Sequence, residues 1–176
     1  MLKKHSKFFE SLLLLADWFT LSLAWVSSYY LRFYSGIIPV YKGIPSFKIY
    51  LTLLVFMIPL WGLVFKVFGL YRPRRVSTRF YEILDIGKAS TFATLILISL
   101  TFLYRQYEFS RLTFFYFWLI NIVLLSLTRI LFREFLRFLR QKGYNQRYAL
   151  IIGTEKLGQS LAKQLQKHPE LGIQVS

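Results

Sequence analysis

A glycine-bearing turn near the C-terminal end is the first place where residue type and spacing could do chemistry. Gly153 and Gly158 hold the outer positions of a G-x-G-x-x-G pattern, in which backbone approaches a pyrophosphate at a helix N-terminus. Glu155 stands where the central glycine belongs. A carboxylate there repels phosphates and crowds their approach. The preferred reading is therefore a strand-to-helix turn that binds nothing, and no cofactor is expected.

Asp17 and Arg129 are the second candidate. Each interrupts a long apolar run, where an ionisable side chain costs about 2.5–3.5 kcal/mol at the centre of a bilayer and less near its surface. They lie at similar depths of the first and fourth runs, so an intramembrane pair is geometrically open to them. A pair that fixes helix packing is preferred over a site for an anionic lipid or a proton. Arg129, Arg133, Arg137 and Arg140 also recur at spacings of four, four and three, which puts them on one helix face. Such a stripe by default holds anionic phospholipid and sets topology, and it could also bind a polyprenyl phosphate. Phe68 to Arg75, FGLYRPRR, reads as a tight basic turn in which Pro73 ends any helix before it. Asn121, in mid-run, suits a hydrogen bond to a neighbouring helix. His5 and His168 are the two histidines and there is no cysteine, so neither a metal site nor a disulfide is expected. No nucleophile with a base and no paired carboxylates stand out.

The elements that must position these residues are membrane helices. Of the 176 residues 55% are hydrophobic and 19% aromatic, more than a soluble domain of this length could cover with polar surface. The apolar residues gather into four blocks of about 20, the length that crosses a bilayer. These spans are expected at about 8–31, 49–68, 83–104 and 112–131, with a basic helical extension to about 140. The first is too long for a signal-peptide h-region and lacks a small-x-small cleavage site. Pro59 inside the second is tolerable if neighbouring helices satisfy the carbonyl it frees. Tyr29, Tyr30, Phe33, Tyr34 and Tyr50 crowd span ends, where an aromatic belt at head-group level accounts for them.

The formal net charge is +15, from 23 Lys+Arg against 8 Asp+Glu. In a soluble protein that balance would suggest nucleic acid. Here the basic residues flank apolar blocks, so lipid is the partner and nucleic acid is not. The heaviest groups, Arg72, Arg74, Arg75 and Arg79 in the second loop and Arg133, Arg137 and Arg140 after the fourth span, fall on one side with the N-terminus. By the positive-inside rule that side is the cytoplasm. Residues 1–142 thus form a four-span domain with both ends cytoplasmic. In 143–176 a strand from Tyr148 to Ile152, a glycine turn, a helix from Leu157 to Lys167 and a second strand near Gly172 give the start of an incomplete Rossmann-like α/β domain. That domain needs more strands than these, so the chain is expected to be a fragment of a longer protein or to have a poorly ordered tail.

The set of pieces resembles the N-terminal portion of the bacterial polyprenyl-phosphate hexose-1-phosphate transferases. The matching residues are Asp17, Leu31 to Phe33 (LRF), Gly69, Tyr71, Arg72, Arg74 and Arg75 within FGLYRPRR, Phe109 to Arg111 (FSR) and Arg129. Gly143 to Gly158 and His168 to Val175 also match. The resemblance implies a parent in the bacterial inner membrane with a further cytoplasmic transferase domain. That domain moves sugar-1-phosphate from a UDP-sugar onto undecaprenyl phosphate to begin exopolysaccharide, capsule or O-antigen synthesis. No catalytic residue carries over, and this chain alone is expected to be inactive. The anchor of a membrane-bound nucleotide-sugar dehydratase or epimerase is the alternative, which the Glu155 position disfavours. A non-catalytic scaffold of a polysaccharide assembly complex is another. A homo-oligomer and polysaccharide assembly proteins stay open as protein partners. Exchanging the charges of Asp17 and Arg129 together is expected to restore the folded yield that either single exchange loses, and failure of the double exchange to rescue would sink the pairing.

Overall fold

The computed structural model describes residues 2–40, 43–71, 79–103, 109–142, 147–149, 151, 156–167 and 173–175. Four long helices come first: α1 Leu2–Phe33, α2 Phe47–Val67, α3 Arg79–Leu103 and α4 Arg111–Gln141. Strand β1 Arg147–Ala149, helix α5 Lys156–Lys167 and strand β2 Ile173–Val175 follow. All four long helices are long and apolar enough to cross a membrane. The 21 residues of α2 rise about 30 Å, one hydrocarbon thickness. The 31 residues of α4 rise about 45 Å and outrun it. The expected spans 8–31 and 112–131 fall inside α1 and α4, whereas 49–68 and 83–104 run one residue past the ends of α2 and α3, which begin earlier than expected.

The chain divides into two compact units, residues 6–128 and residues 129–176 with 1–5. In the first, each helix turns a stripe spaced three to four residues apart toward the interior: Leu21, Trp25, Tyr29 and Phe33 on α1; Tyr50, Met57, Trp61 and Val64 on α2; Ile86, Ala89, Ala93 and Leu97 on α3; Phe114, Phe117 and Leu125 on α4. The opposite faces leave Phe19, Val55, Leu63, Phe102 and Leu119 exposed. An apolar surface all round a helical bundle has only lipid to cover it. α3 packs against α2 with small inward residues, Ala89, Ser90, Ala93 and Thr94, which let helices approach closely where no water drives them together. Pro59 and Val55, whose carbonyl loses its usual amide donor to the proline, both lie on the exposed face of α2.

Tyr29, Phe33 and Tyr50 correct the aromatic-belt expectation, because they are core residues. Tyr29 packs on Phe33, Phe47 and Tyr50 at ring separations of 4.9, 5.0 and 4.9 Å. Trp25 stacks on Tyr50 at 5.6 Å and meets Phe117 edge-on at 5.3 Å. The positions 25, 29 and 33 recur every four residues and so share one face of α1. Their polar atoms are spent inside the bundle: the Trp25 indole N–H donates to the Tyr50 carbonyl at 2.8 Å, and the Tyr29 hydroxyl to the Pro45 carbonyl at 2.8 Å. Tyr30 and Tyr34, a quarter-turn away, are exposed as an interfacial belt requires.

In the second unit β1 and β2 pair in parallel, with Arg147 opposite Ile173, Tyr148 opposite Gln174 and Ala149 opposite Val175. α5 makes the crossover and lies against β2, as parallel strands demand a connection longer than a hairpin. In the aromatic core, Tyr29→Phe keeps every ring contact and removes one hydrogen bond. It is expected to cost about 1 kcal/mol, against about 3–5 kcal/mol for Trp25→Ala, both read as loss of midpoint in denaturant titrations of the detergent-solubilised chain.

Candidate functional site

The motif from Phe68 onward begins as a helix cap. α2 ends at Val67, and Gly69 takes φ 68°, a left-handed conformation that costs an L residue with a side chain about 1–2 kcal/mol. The Gly69 amide donates to the Lys66 carbonyl at 3.1 Å and the Leu70 amide to the Phe65 carbonyl at 2.9 Å. This pair of bonds closes a Schellman turn. Leu70 is buried, as the residue after such a glycine commonly is, and Tyr71 packs its ring 6.3 Å from Phe65. The helix therefore stops at Val67, well before Pro73, for a reason local to Gly69. Arg72, Arg74 and Arg75 lie outside the described residues.

The buried polar groups of α1, α3 and α4 divide into two kinds. Hydroxyls mostly return to their own helix: Thr20 to the Ala16 carbonyl at 2.7 Å, Ser28 to Trp25 at 2.7 Å and Thr94 to Ser90 at 2.8 Å. A smaller set crosses between helices. Thr20 meets Thr128 at 3.0 Å, the Trp118 indole donates to Thr91 at 3.0 Å, and the Asn121 amide donates to the Ser90 hydroxyl at 3.3 Å. Asn121 does what its mid-span position predicted.

Asp17 is only 4% exposed and belongs to the unit of residues 6–128. Arg129, also 4% exposed, opens the other unit. Burial sets Arg129 apart from the rest of the arginine stripe. Arg133 is half-buried, and Arg137 donates to the Glu134 carboxylate at 3.1 Å across one helical turn. The side chain of Arg140 lies outside the described residues. At the helix end Lys142 sits 4.5 Å above the Phe138 ring.

Arg32, which the sequence offered only as the basic residue of the LRF motif, proves to be a structural clamp. The Arg32 guanidinium donates to the Ile38 carbonyl at 2.8 Å, the Pro39 carbonyl at 3.4 Å and the Ser110 hydroxyl at 3.3 Å. The Ser110 amide in turn donates to the Tyr50 hydroxyl at 3.1 Å. Arg32 thus ties the end of α1 to the α1–α2 loop and to the residue that precedes α4. The LRF and FSR motifs meet through Arg32 and Ser110, a contact between distant segments that no local pattern announces.

Among the described residues no group of His, Asp and Glu could hold a metal ion. A family model described as a CoA-binding domain matches residues 66–176. The chain belongs to that family. The match covers more than half of the sequence, from the end of α2 through β2, and it is a domain found in the N-terminal regions of sugar transferases. No curated protein and no solved structure matches the chain. Gly158 lies in the first turn of α5, where the third glycine of the pattern belongs. Residues 152–155, with Gly153 and Glu155, lie outside the described residues. No role for the cofactor is assigned.

Gly69→Ala is expected to destabilise the detergent-solubilised chain by about 1–2 kcal/mol, and Gly69→Asn by less, because asparagine visits this conformation more readily. Equal losses for the two in thermal unfolding would show that the conformation of Gly69 does not set its role.

Proposed function

We propose that the chain is the membrane-anchoring N-terminal part of a sugar-1-phosphate transferase that begins bacterial surface-polysaccharide synthesis on undecaprenyl phosphate. The observation that carries this reading is the family match over residues 66–176 on a chain whose four long helices suit a bilayer. The contact between the LRF and FSR motifs through Arg32 and Ser110 adds to it. In this reading the helices lie in the bacterial inner membrane with both chain ends in the cytoplasm. The parallel β1–α5–β2 unit is then the beginning of a Rossmann-like domain that leads into the catalytic part. A buried charge within a bundle needs a partner, and the pairing proposed is Asp17 with Arg129. The basic residues at the end of α4 would face anionic phospholipid, with undecaprenyl phosphate as the substrate lipid.

The role assigned to these residues is placement. The helices hold the α/β unit at the membrane surface, where a water-soluble nucleotide sugar and a lipid phosphate meet. No general acid, base or nucleophile is assigned in this chain. The purified chain, given UDP-sugars and undecaprenyl phosphate, is expected to form no lipid-linked sugar. Membranes expressing the whole reading frame that contains it are expected to form it. Turnover by the chain alone would overturn the anchor role. A stop codon directly after that of Ser176 would overturn the transferase reading and leave a scaffold as the leading one.

A further inference from the structure

The described residues of the loop between α1 and α2, 34–40 and 43–46, expose apolar side chains while side chains of α1 hold several of the loop's carbonyls. Ile37 is 66%, Ile38 36% and Ile44 52% exposed, and Tyr34 beside them is exposed too. Single exposed apolar residues are ordinary. Here several fall in one short connection and continue the exposed face of α1 that ends in Tyr30. Val40, in the middle of the loop, packs against the buried core, so the loop is seated on the bundle with its isoleucines outward.

The polar groups that would resist an apolar medium are the unpaired amides and carbonyls of irregular backbone. In this loop the Ile38 and Pro39 carbonyls accept from Arg32, and the Pro45 carbonyl accepts from the Tyr29 hydroxyl. The Ile37 amide donates to the Ser35 hydroxyl at 3.4 Å. Pro39 and Pro45 have no amide hydrogen to satisfy. Gly36 and Gly43, at φ 71° and 80°, supply the left-handed turns that let so short a segment fold on itself. Water needs none of these provisions, and a membrane interface does.

We propose that the described residues of this loop, 34–40 and 43–46, form an interfacial wedge, with Ile37, Ile38 and Ile44 inserted among the acyl chains just beneath the lipid head groups. The occupant of this surface is lipid, because the loop joins two helices whose own exposed faces are apolar and is continuous with them. The proposal rests on the membrane reading and is independent of the transferase reading. Arg32 is its positioning residue, holding two loop carbonyls that would otherwise call for water.

The absence of cysteine allows one spin label at a time, through Ile37→Cys, Ile38→Cys, Ile44→Cys and, as a marker within α2, Val55→Cys. The labelled chain is reconstituted in phosphatidylethanolamine–phosphatidylglycerol vesicles, and collisions with oxygen and with a water-soluble nickel chelate are measured. Expected is a ratio favouring oxygen at the three loop positions, above that of Ser35→Cys and below that of Val55. Nickel-favouring ratios in the loop with Val55 still deep would overturn the wedge alone. Low accessibility to both reagents in the loop would mean that a second copy covers it, which also overturns the proposal. Nickel access at Val55 would overturn the membrane reading beneath it.

Discussion

Tyr50 joins three parts of the bundle through three different groups. Its carbonyl takes the Trp25 indole N–H from α1, its ring stacks on Trp25 and Tyr29, and its hydroxyl takes the Ser110 amide just ahead of α4. In lipid the hydrophobic effect gives helices no reason to associate, so packing and such polar contacts must do it. An aromatic cluster serves both needs, with large area and little side-chain entropy to lose. Everything at that end of the bundle refers to Tyr50. The α1–α2 loop is held by Tyr29 and Arg32, its neighbours on α1, and the start of α4 is fixed by Ser110.

The polar economy along the helices follows from the same constraint. The buried hydroxyls are short, and most turn back to a carbonyl one turn earlier, which satisfies the donor without any partner helix. Asn121 and Trp118 cannot do so and instead reach Ser90 and Thr91 on α3. A bundle built to pass ions or protons would line a wet path with ionisable groups. Among the described residues with buried side chains, only Asp17 and Arg129 are charged, and the buried hydroxyls and Asn121 divide between bonds within a helix and bonds across to another.

Four helices were legible in the sequence because length and hydropathy are local properties. The causes of their ends were less so. α2 ends at Val67, one residue from the expected 68, but what ends it is the Schellman turn at Gly69, which completes its bonds before Pro73 is reached. The aromatic residues show the limit more sharply. Tyr29 and Tyr30 are adjacent and of one type, yet Tyr29 is core and Tyr30 faces outward. A count of aromatics near a span end cannot separate them. The four-residue spacing of Trp25, Tyr29 and Phe33 could have, because it marks one helix face. Arg32 was hidden for a different reason: its partners lie 6, 7 and 78 residues away, and side-chain to carbonyl contacts leave no periodic trace. The strand, helix and strand order of the second unit was legible, and the helix expected from Leu157 to Lys167 is α5, with Gly158 in its first turn as read.

The membership in a CoA-binding family and a glutamate at position 155 are compatible once fold and ligand are separated. A parallel β–α–β unit offers a helix N-terminus at the end of a strand, and that frame recurs with many ligands or none. Binding a pyrophosphate asks more of it, namely bare backbone where Glu155 now stands. Such a carboxylate weakens binding whatever the fate of the frame, while the helix and the parallel pairing keep their own reasons to persist. The frame here is attached to a basic helix that, at about 45 Å, is longer than the hydrocarbon is thick, so α4 must project beyond it or tilt within it. An amphiphilic chain of arginines and phenylalanines at that end, with Arg137 paired to Glu134 and Lys142 lying on Phe138, is suited to the head-group layer. The sequence places the α/β unit directly after that layer.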